Sequence, residues 1–427
     1  MIACVVACVI AFVMPFPLSR IVPLPWWHAR CSAAQPYGGG VVVDRDRASP
    51  DACPGALLVH RAADGPMARV RLPGGLLTAA QLDALAEAAE RFGSATVELT
   101  SRGNVQLRRI SDTEAVADAL AGAGLLPSPT HERVRNIVAS PLSGRVGGRA
   151  DVRPWVIGLD RAICGEPALA ALPGRFLFSI DDGSADVSGM AADVGVAVLD
   201  DGVALLLAGH DSGVRLAGDE AVAAMVGVAS RFVAARGQAW RVAEIADPAA
   251  LLAGLRATAT PVRDLPAFPA PPRAPVGWIC QDDGKVALGA AVPLGVLTAR
   301  QARFLAAIGA PVVITPWRSV LVCDLDAGVA DTALRVLAPL GLVFDGDSGW
   351  LAVSACVGSP GCERSLADVR GEAARRVAAG VAGGGTRVHF VGCERACGSP
   401  AGADVMMATA TGYLRLPRCA GPQSGCP

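Results

Sequence analysis

The sequence predicts an α+β fold made by duplication, and three observations carry that reading. A strand–turn–helix–strand block occurs at residues 70–107 and again at residues 286–322. Each block is followed by a further apolar-periodic helix, around Thr113–Ala123 and around Val329–Leu340. The chain has 427 residues, 52% hydrophobic and 18% charged, which is enough to bury more than one core.

The elements follow in order. In the first copy Val-Arg-Leu-Pro-Gly-Gly makes a strand and a tight turn, and Thr78 supplies the N-cap of a helix. Leu82, Leu85, Ala86 and Ala89 recur at helical spacing along it. The strand Val-Glu-Leu-Thr-Ser-Arg-Gly-Asn-Val-Gln-Leu closes the block. The second copy repeats this plan from Ala291-Val292-Pro293, through Thr298, to the strand Val312–Val322. These marks divide the chain into an unassigned extension (1–50), a first half-domain (51–125) and a first lobe (126–258). A Pro-rich linker (259–277), a second half-domain (278–343), a cysteine-bearing lobe (344–418) and a tail (419–427) follow.

Bulk properties narrow the function. A net charge of −1 removes any case for binding nucleic acid by bulk charge. Lys285 is the only lysine, so arginine is the cation available for anionic ligands. Residues 2–14 form an apolar run too short to span a bilayer and without a basic flank, so no membrane association is expected. A start codon set too far upstream is the favoured reading of that run, ahead of a targeting segment. Asp181-Asp182-Gly183 and Asp282-Asp283-Gly284 read as turns. No Gly-x-Gly-x-x-Gly follows a strand and opens a helix, so no nicotinamide or flavin site is expected.

Chemistry concentrates in two places. Cys356-Val-Gly-Ser-Pro-Gly-Cys362 and Cys393-Glu-Arg-Ala-Cys397 offer four thiolates on tight turns, the ligand count of a [4Fe–4S] cluster. Zinc sites pair cysteines two to four residues apart, and the first pair is wider than that. Inert buried thiols are the remaining reading. A cluster implies a reducing, cytoplasmic setting. The second place is Thr100–Arg109, where alternation sets Arg102, Asn104, Gln106 and Arg108 on one strand face. Guanidinium forks grip carboxylates bidentately, so this face reads as a ligand wall. Its counterpart in the second copy keeps only Arg318 of these charges.

The paired cysteine motifs resemble the sulfite and nitrite reductase superfamily, in which two ferredoxin-like half-domains and two larger lobes surround a tetrapyrrole. Thr100-x-Arg102-x-x-x-Gln106, Arg71 before Leu-Pro-Gly-Gly, Arg135-Asn136 and Arg175 match positions where that family binds sirohaem or its anion. Two departures stand out: Leu177 replaces a family lysine, and Glu394-Arg395 replace Pro-Asn. Together with His-Glu-Arg-Val-Arg-Asn-Ile, they make the chain resemble the precorrin-3B synthase branch of aerobic cobalamin biosynthesis. That resemblance implies an O2-dependent monooxygenase that hydroxylates precorrin-3A and closes a lactone. It further implies a [4Fe–4S] cluster on Cys356, Cys362, Cys393 and Cys397, and a mononuclear non-haem iron whose ligands the sequence does not identify. Electrons would come from a ferredoxin or an NAD(P)H-linked reductase. Arg71, Arg102, Asn104, Gln106, Arg108, Arg135, Asn136 and Arg175 are the expected substrate contacts. The alternatives are a sirohaem-dependent sulfite or nitrite reductase and a non-catalytic tetrapyrrole-binding or electron-transfer subunit.

Overall fold

A computed structural model describes residues 51, 53–255, 274–380, 387–400 and 402–416. The apolar run at 2–14, the Pro-rich stretch through residue 273, the triple glycine at 383–385 and the tail from residue 417 lie outside the described residues. No helix among the described residues is long and apolar enough to cross a membrane.

The first half-domain opens with a hairpin of β1 (His60–Ala62) and β2 (Gly65–Val70), followed by the short β3 (Leu76–Leu77). Helix α1 (Ala79–Phe92), strands β4 (Thr96–Leu99) and β5 (Val105–Leu107) and helix α2 (Thr113–Gly122) complete it. Thr78 and Gln81 form a capping box at the start of α1, with Gln81 N donating to Thr78 Oγ1 at 3.2 Å. The Gln81 amide then donates to Ala123 O at 3.3 Å, which ties α1 to the end of α2. Leu82, Leu85, Ala86 and Ala89 are all buried, as their spacing requires.

The first lobe contains β6 (Ile137–Ala139), α3 (Arg153–Gly165), β7 (Phe178–Asp181), β8 (Val194–Leu199), β9 (Gly202–Leu207), β10 (His210–Leu216) and α4 (Ala221–Ala235). Its sheet runs β10-β9-β8-β7-β6, parallel from β6 through β8 and antiparallel thereafter. Phe176, Phe178 and Phe232 pack at the centre, with ring centroids 5.0 Å apart.

The second half-domain repeats the first with β11 (Gly277–Cys280), β12 (Val286–Ala291), β13 (Val296–Thr298), α5 (Ala299–Ala306), β14 (Val312–Ile314), β15 (Ser319–Leu325) and α6 (Ala327–Leu337). The capping box recurs at Thr298 and Gln301, and Gln301 again donates onward, to Leu340 O at 2.8 Å. The halves exchange edge strands. β13 pairs with β4 in the sheet of the first half, and β3 pairs with β14 in the sheet of the second. Each half thereby covers the other's open edge, and both contribute to one core. At this seam a Cβ on Gly75, whose φ is +72°, would lie 1.9 Å from Ile314 O. Gly75→Ala is expected to cost more than about 2 kcal/mol, read as a lowered denaturation midpoint at unchanged slope.

The repeat extends to single hydrogen bonds. Thr100 Oγ1 accepts from Arg102 N and Asn104 N, as Thr315 Oγ1 does from Trp317 N and Ser319 N. Gly103 and Arg318 share left-handed φ values of +67° and +58°. Arg318 therefore stands where Gly103 stands, and the counterpart of Arg102 is Trp317. This corrects the sequence alignment, in which Arg318 was the surviving ligand-wall charge.

The second lobe contains β16 (Val353–Ala355), α7 (Val369–Ala378), β17 (Val388–Val391), β18 (Asp404–Thr409) and β19 (Gly412–Leu416). Its strands are parallel from β16 through β18 and then antiparallel, the same order of directions as β6–β9. Ser140 N donates to Ile180 O at 3.1 Å, and Cys356 N donates to Phe390 O at 2.9 Å. Ser140 Oγ accepts from Asp182 N at 3.1 Å, and Cys356 Sγ accepts from Gly392 N at 3.4 Å. Ser140 is thus the counterpart of Cys356, and the lobes are repeats as well.

Candidate active site

Strand β5 and its flanking turns, the β16 and β17 loops and the segment after α4 enclose one cavity of about 1350 Å3. This exceeds the roughly 300–1,000 Å3 of ordinary small-molecule pockets. Cys356, Cys362, Cys393 and Cys397 all line it. Among the described residues, the one group of three or more potential metal-ligand atoms within 4.8 Å of one another is Asp181, Asp182 and Asp186. The cysteine sulfurs therefore stand wider than a tetrahedral zinc site, where Zn–S bonds of 2.3 Å imply sulfurs about 3.8 Å apart. The frame suits a larger multi-iron group, with the Gly392 amide aimed at one sulfur. Burial pushes the Cys356 thiol up, against the amides of Gly392 and Gly358, and neighbouring Cys362 and Cys393 add to the rise. His389, fully buried on β17, bridges Ser354 Oγ at 2.8 Å and Cys397 O at 3.0 Å. Burial drives it down to about 3, with nearby Arg318 adding, so it is a neutral brace for the Cys397 turn.

The opposite wall is cationic. The Arg102 guanidinium faces the cavity and makes no hydrogen bond or ion pair among the described residues. Burial, with Arg241 nearby, pushes it down to about 10 against the pull of Asp193. Arg71 donates Nε to Arg133 O at 3.1 Å, but its buried Nη1 and Nη2 have no partner. Burial, then Arg69, pushes it down to about 9. A buried guanidinium in that state lacks its counter-ion. Arg175 lies over the Trp240 ring at 4.8 Å with Nε buried and unpartnered. With its amide oriented oxygen-first toward Arg69, Gln106 accepts from Arg69 Nε at 2.9 Å across the β2–β5 pair. Asn104 accepts from Leu72 N at 2.8 Å and donates to Asn136 Oδ1, whose own amide donates to Gly174 O at 2.9 Å. These two asparagines fix the turn that carries Arg102.

Three expected contacts sit differently, the first being Arg71, which is absent from the cavity wall and fully buried. Arg135 is absent from the cavity wall and forms a bidentate pair with Asp160 at 2.6 and 2.8 Å. Its arginine fork is committed to α3. Arg135→Ala is expected to lower stability by about 3 kcal/mol, since it strands Asp160, while ligand affinity stays unchanged; chemical denaturation and a binding titration separate the two effects. Arg108 reaches the wall but is already paired with Asp64 at 2.7 Å.

Leu177 is buried with Val138, Val187 and Ala192, so this stretch of wall is apolar. Residues not anticipated from the sequence also line the cavity: His60, Arg241, Trp317 and Trp350. Arg241 sits 2.7 Å from Asp193 and comes from the segment after α4, where no motif flags it. Trp317 was hidden because its counterpart is an arginine. His131 is buried and held between Ser128, Thr130 and Glu166 O, a structural role. Asp181 accepts four backbone amides of its own turn, from Gly183, Ala185, Val187 and Ser188. No group combining two histidines with a carboxylate occurs among the described residues.

Residues 60–123 match the family model of the nitrite/sulfite reductase ferredoxin-like half domain. A precorrin-3B synthase from Sinorhizobium sp. is 28% identical over 382 residues, covering 85% of this chain and 81% of that one. A ferredoxin–nitrite reductase from Synechococcus elongatus is 33% identical over 126 residues, covering 27% of this chain and 25% of that one. The solved structure of the Mycobacterium tuberculosis NirA protein superposes with a TM-score of 0.68 at 21% identity, covering 82% of this chain and 73% of that one, which shows the shared fold.

Proposed function

We propose that this chain, a member of the nitrite/sulfite reductase superfamily, is a precorrin-3B synthase. The observation that carries the reading is one cavity: Arg102 and Arg175, neither with an acidic partner among the described residues, share its wall with four cysteines, around a space larger than a small anion needs. A tetrapyrrole fringed with acetates and propionates fits that wall, because each carboxylate can take a bidentate fork. Arg102 and Arg175, which line the cavity, bind the carboxylates, and the Asn104–Asn136 pair holds Arg102 in register. Tight anchoring fixes one meso carbon toward the cysteine side and converts an encounter into an oriented complex. Leu177 leaves the wall without the extra cation that reduction of a small oxyanion calls for.

The reaction balances as a monooxygenation. One atom of O2 enters precorrin-3A as the hydroxyl, and the other leaves as water. Two electrons and two protons come from an external donor, a ferredoxin or an NAD(P)H-linked reductase. The ring acetate's carboxylic O–H then adds across the neighbouring double bond, its oxygen going to the ring carbon and its proton to the other atom of that bond, so the lactone closes with no atom lost. A [4Fe–4S] cluster on Cys356, Cys362, Cys393 and Cys397 would pass the electrons singly. A mononuclear iron is part of the same reading, with no ligand set assigned.

The rival is a sirohaem-dependent reductase, favoured by the nitrite reductase relatives. An anaerobic absorption spectrum followed by acid–acetone extraction separates the two. A broad iron–sulfur band with no extractable pigment supports the synthase. Stoichiometric sirohaem in the extract makes the protein a reductase.

A further inference from the structure

We propose that Arg108 is a positioning residue for the cysteine loop and not a ligand for the tetrapyrrole. The inference rests on the cluster assignment above and deepens it. The Arg108 side chain is almost wholly buried, and every nitrogen of its guanidinium is in use. Nε and Nη2 donate to Asp64 at 3.2 and 2.7 Å, Nη2 also donates to Gly361 O at 3.0 Å, and Nη1 lies 3.2 Å from Met67 Sδ. No fork remains for a substrate carboxylate. Gly361 immediately precedes Cys362, so the guanidinium joins the β1–β2 hairpin of the first half-domain to the loop between two of the four cysteines. The fit is tight. A Cβ on Gly361 would lie 3.1 Å from Val357 Cγ1 and 3.3 Å from both Arg108 Nη2 and Asp64 Oδ2.

The duplication supplies an internal control. Ser140 is the counterpart of Cys356, which makes Arg145 the counterpart of Gly361, each five residues further on. Arg109 and Asp324 are likewise counterparts, both with left-handed φ, +55° and +65°, so the pairing side chain comes one residue later in the second copy, where Cys323 stands opposite Arg108. There the loop supplies the cation: Arg145 pairs bidentately with Asp324 at 2.7 and 2.8 Å. Gln281, in the β11–β12 turn, completes that contact by donating to Asp324 at 3.0 Å. Each half-domain therefore fastens the loop after the first strand of one lobe through a hairpin turn and a strand end, with the polarity of the pair reversed. Only one of the two fastened loops carries cysteines. A contact kept in both copies belongs to the architecture, and in the second lobe the architecture acts on Cys362.

The test uses the full chain with its cluster reconstituted, comparing wild type, Arg108→Gln, Arg108→Lys, Asp64→Asn and Arg145→Gln. Arg108→Gln is expected to release iron to a chelator at least about tenfold faster, as loss of an outer-shell partner does at other metal sites. Arg108→Lys should recover part of that loss, because an ammonium keeps the charge but not the fork. The cluster midpoint potential should fall in Arg108→Gln and rise in Asp64→Asn, since one removes a cation and the other uncovers it. Arg145→Gln should lower thermal stability and leave iron release and potential unchanged. Precorrin-3A affinity should be unaltered in both Arg108 variants. Wild-type iron release and potential in Arg108→Gln and Asp64→Asn, or precorrin-3A affinity lost in Arg108→Gln, would overturn the inference. Should Arg108→Gln not fold, Asp64→Asn decides by its potential and release rate. A wild-type protein that assembles no cluster would instead overturn the assignment on which the inference stands.

Discussion

Cys397→Ser leaves the protein folded and without turnover. A cubane iron needs its outer thiolate, and a serine hydroxyl is a poor substitute at that position. Loss of mere outer-shell partners already costs about 10–100-fold at metal sites, so removal of a direct ligand should cost at least ~100-fold in activity. The fold has separate support. The second lobe keeps its own small core around Val353, Val369 and Phe390, and the half-domain core contains no cysteine of this set. Far-ultraviolet circular dichroism should therefore stay native while the visible iron–sulfur band is lost. Cys280→Ser, at an exposed thiol on β11, is the control and should keep both band and turnover. Full activity in Cys397→Ser would remove that cysteine from the ligand set.

Arg102→Ala weakens precorrin-3A binding by about 10–150-fold. Hydrogen bonds to charged groups contribute about 1.5–3 kcal/mol each, and each 1.4 kcal/mol is tenfold in affinity. The effect should appear mainly in KM, because carboxylate anchoring persists from the ground state to the transition state. Arg102 has no protein partner among the described residues, so its removal strands no buried carboxylate and stability should hold. Arg135→Ala is its mirror image, losing stability and keeping affinity. Isothermal titration reads the two affinities and chemical denaturation the two stabilities; unchanged affinity in Arg102→Ala would remove the carboxylate clamp.

Much of this architecture is legible in the sequence because local rules write it. Thr78 with Gln81 and Thr298 with Gln301 are capping boxes separated by a fixed spacing, and Leu82, Leu85 and Ala89 mark the helix between cap and strand. The cysteines are legible for the same reason, since cluster loops need their ligands at short, stated intervals. The strand exchange is not legible. It depends on β3 and β13, elements of two and three residues whose partners lie in the other half. The lobe repeat is hidden too, because Ser140 and Cys356 share a backbone position and no side-chain chemistry.

The site shows the same division. Arg71, Arg102 and Arg175 lie in or near recognisable turns, and the structure leaves their donors unsatisfied. Arg135 and Arg108 belong to the same pattern, yet Asp160 and Asp64 neutralise them from distant segments. Whether an arginine is free depends on where the acids fall in space, which strand alternation does not encode. Arg241 and Trp350 reach the cavity from segments with no motif, so only the folded chain reveals them.

The most direct test of the account is turnover of precorrin-3A by the reconstituted protein under 18O2, with a ferredoxin and its reductase as donor and mass spectrometry as readout. The expected product is heavier by one oxygen atom, labelled from O2, formed only with the donor present and lost in Cys397→Ser. Unchanged precorrin-3A from a protein that holds its cluster and accepts electrons would contradict it.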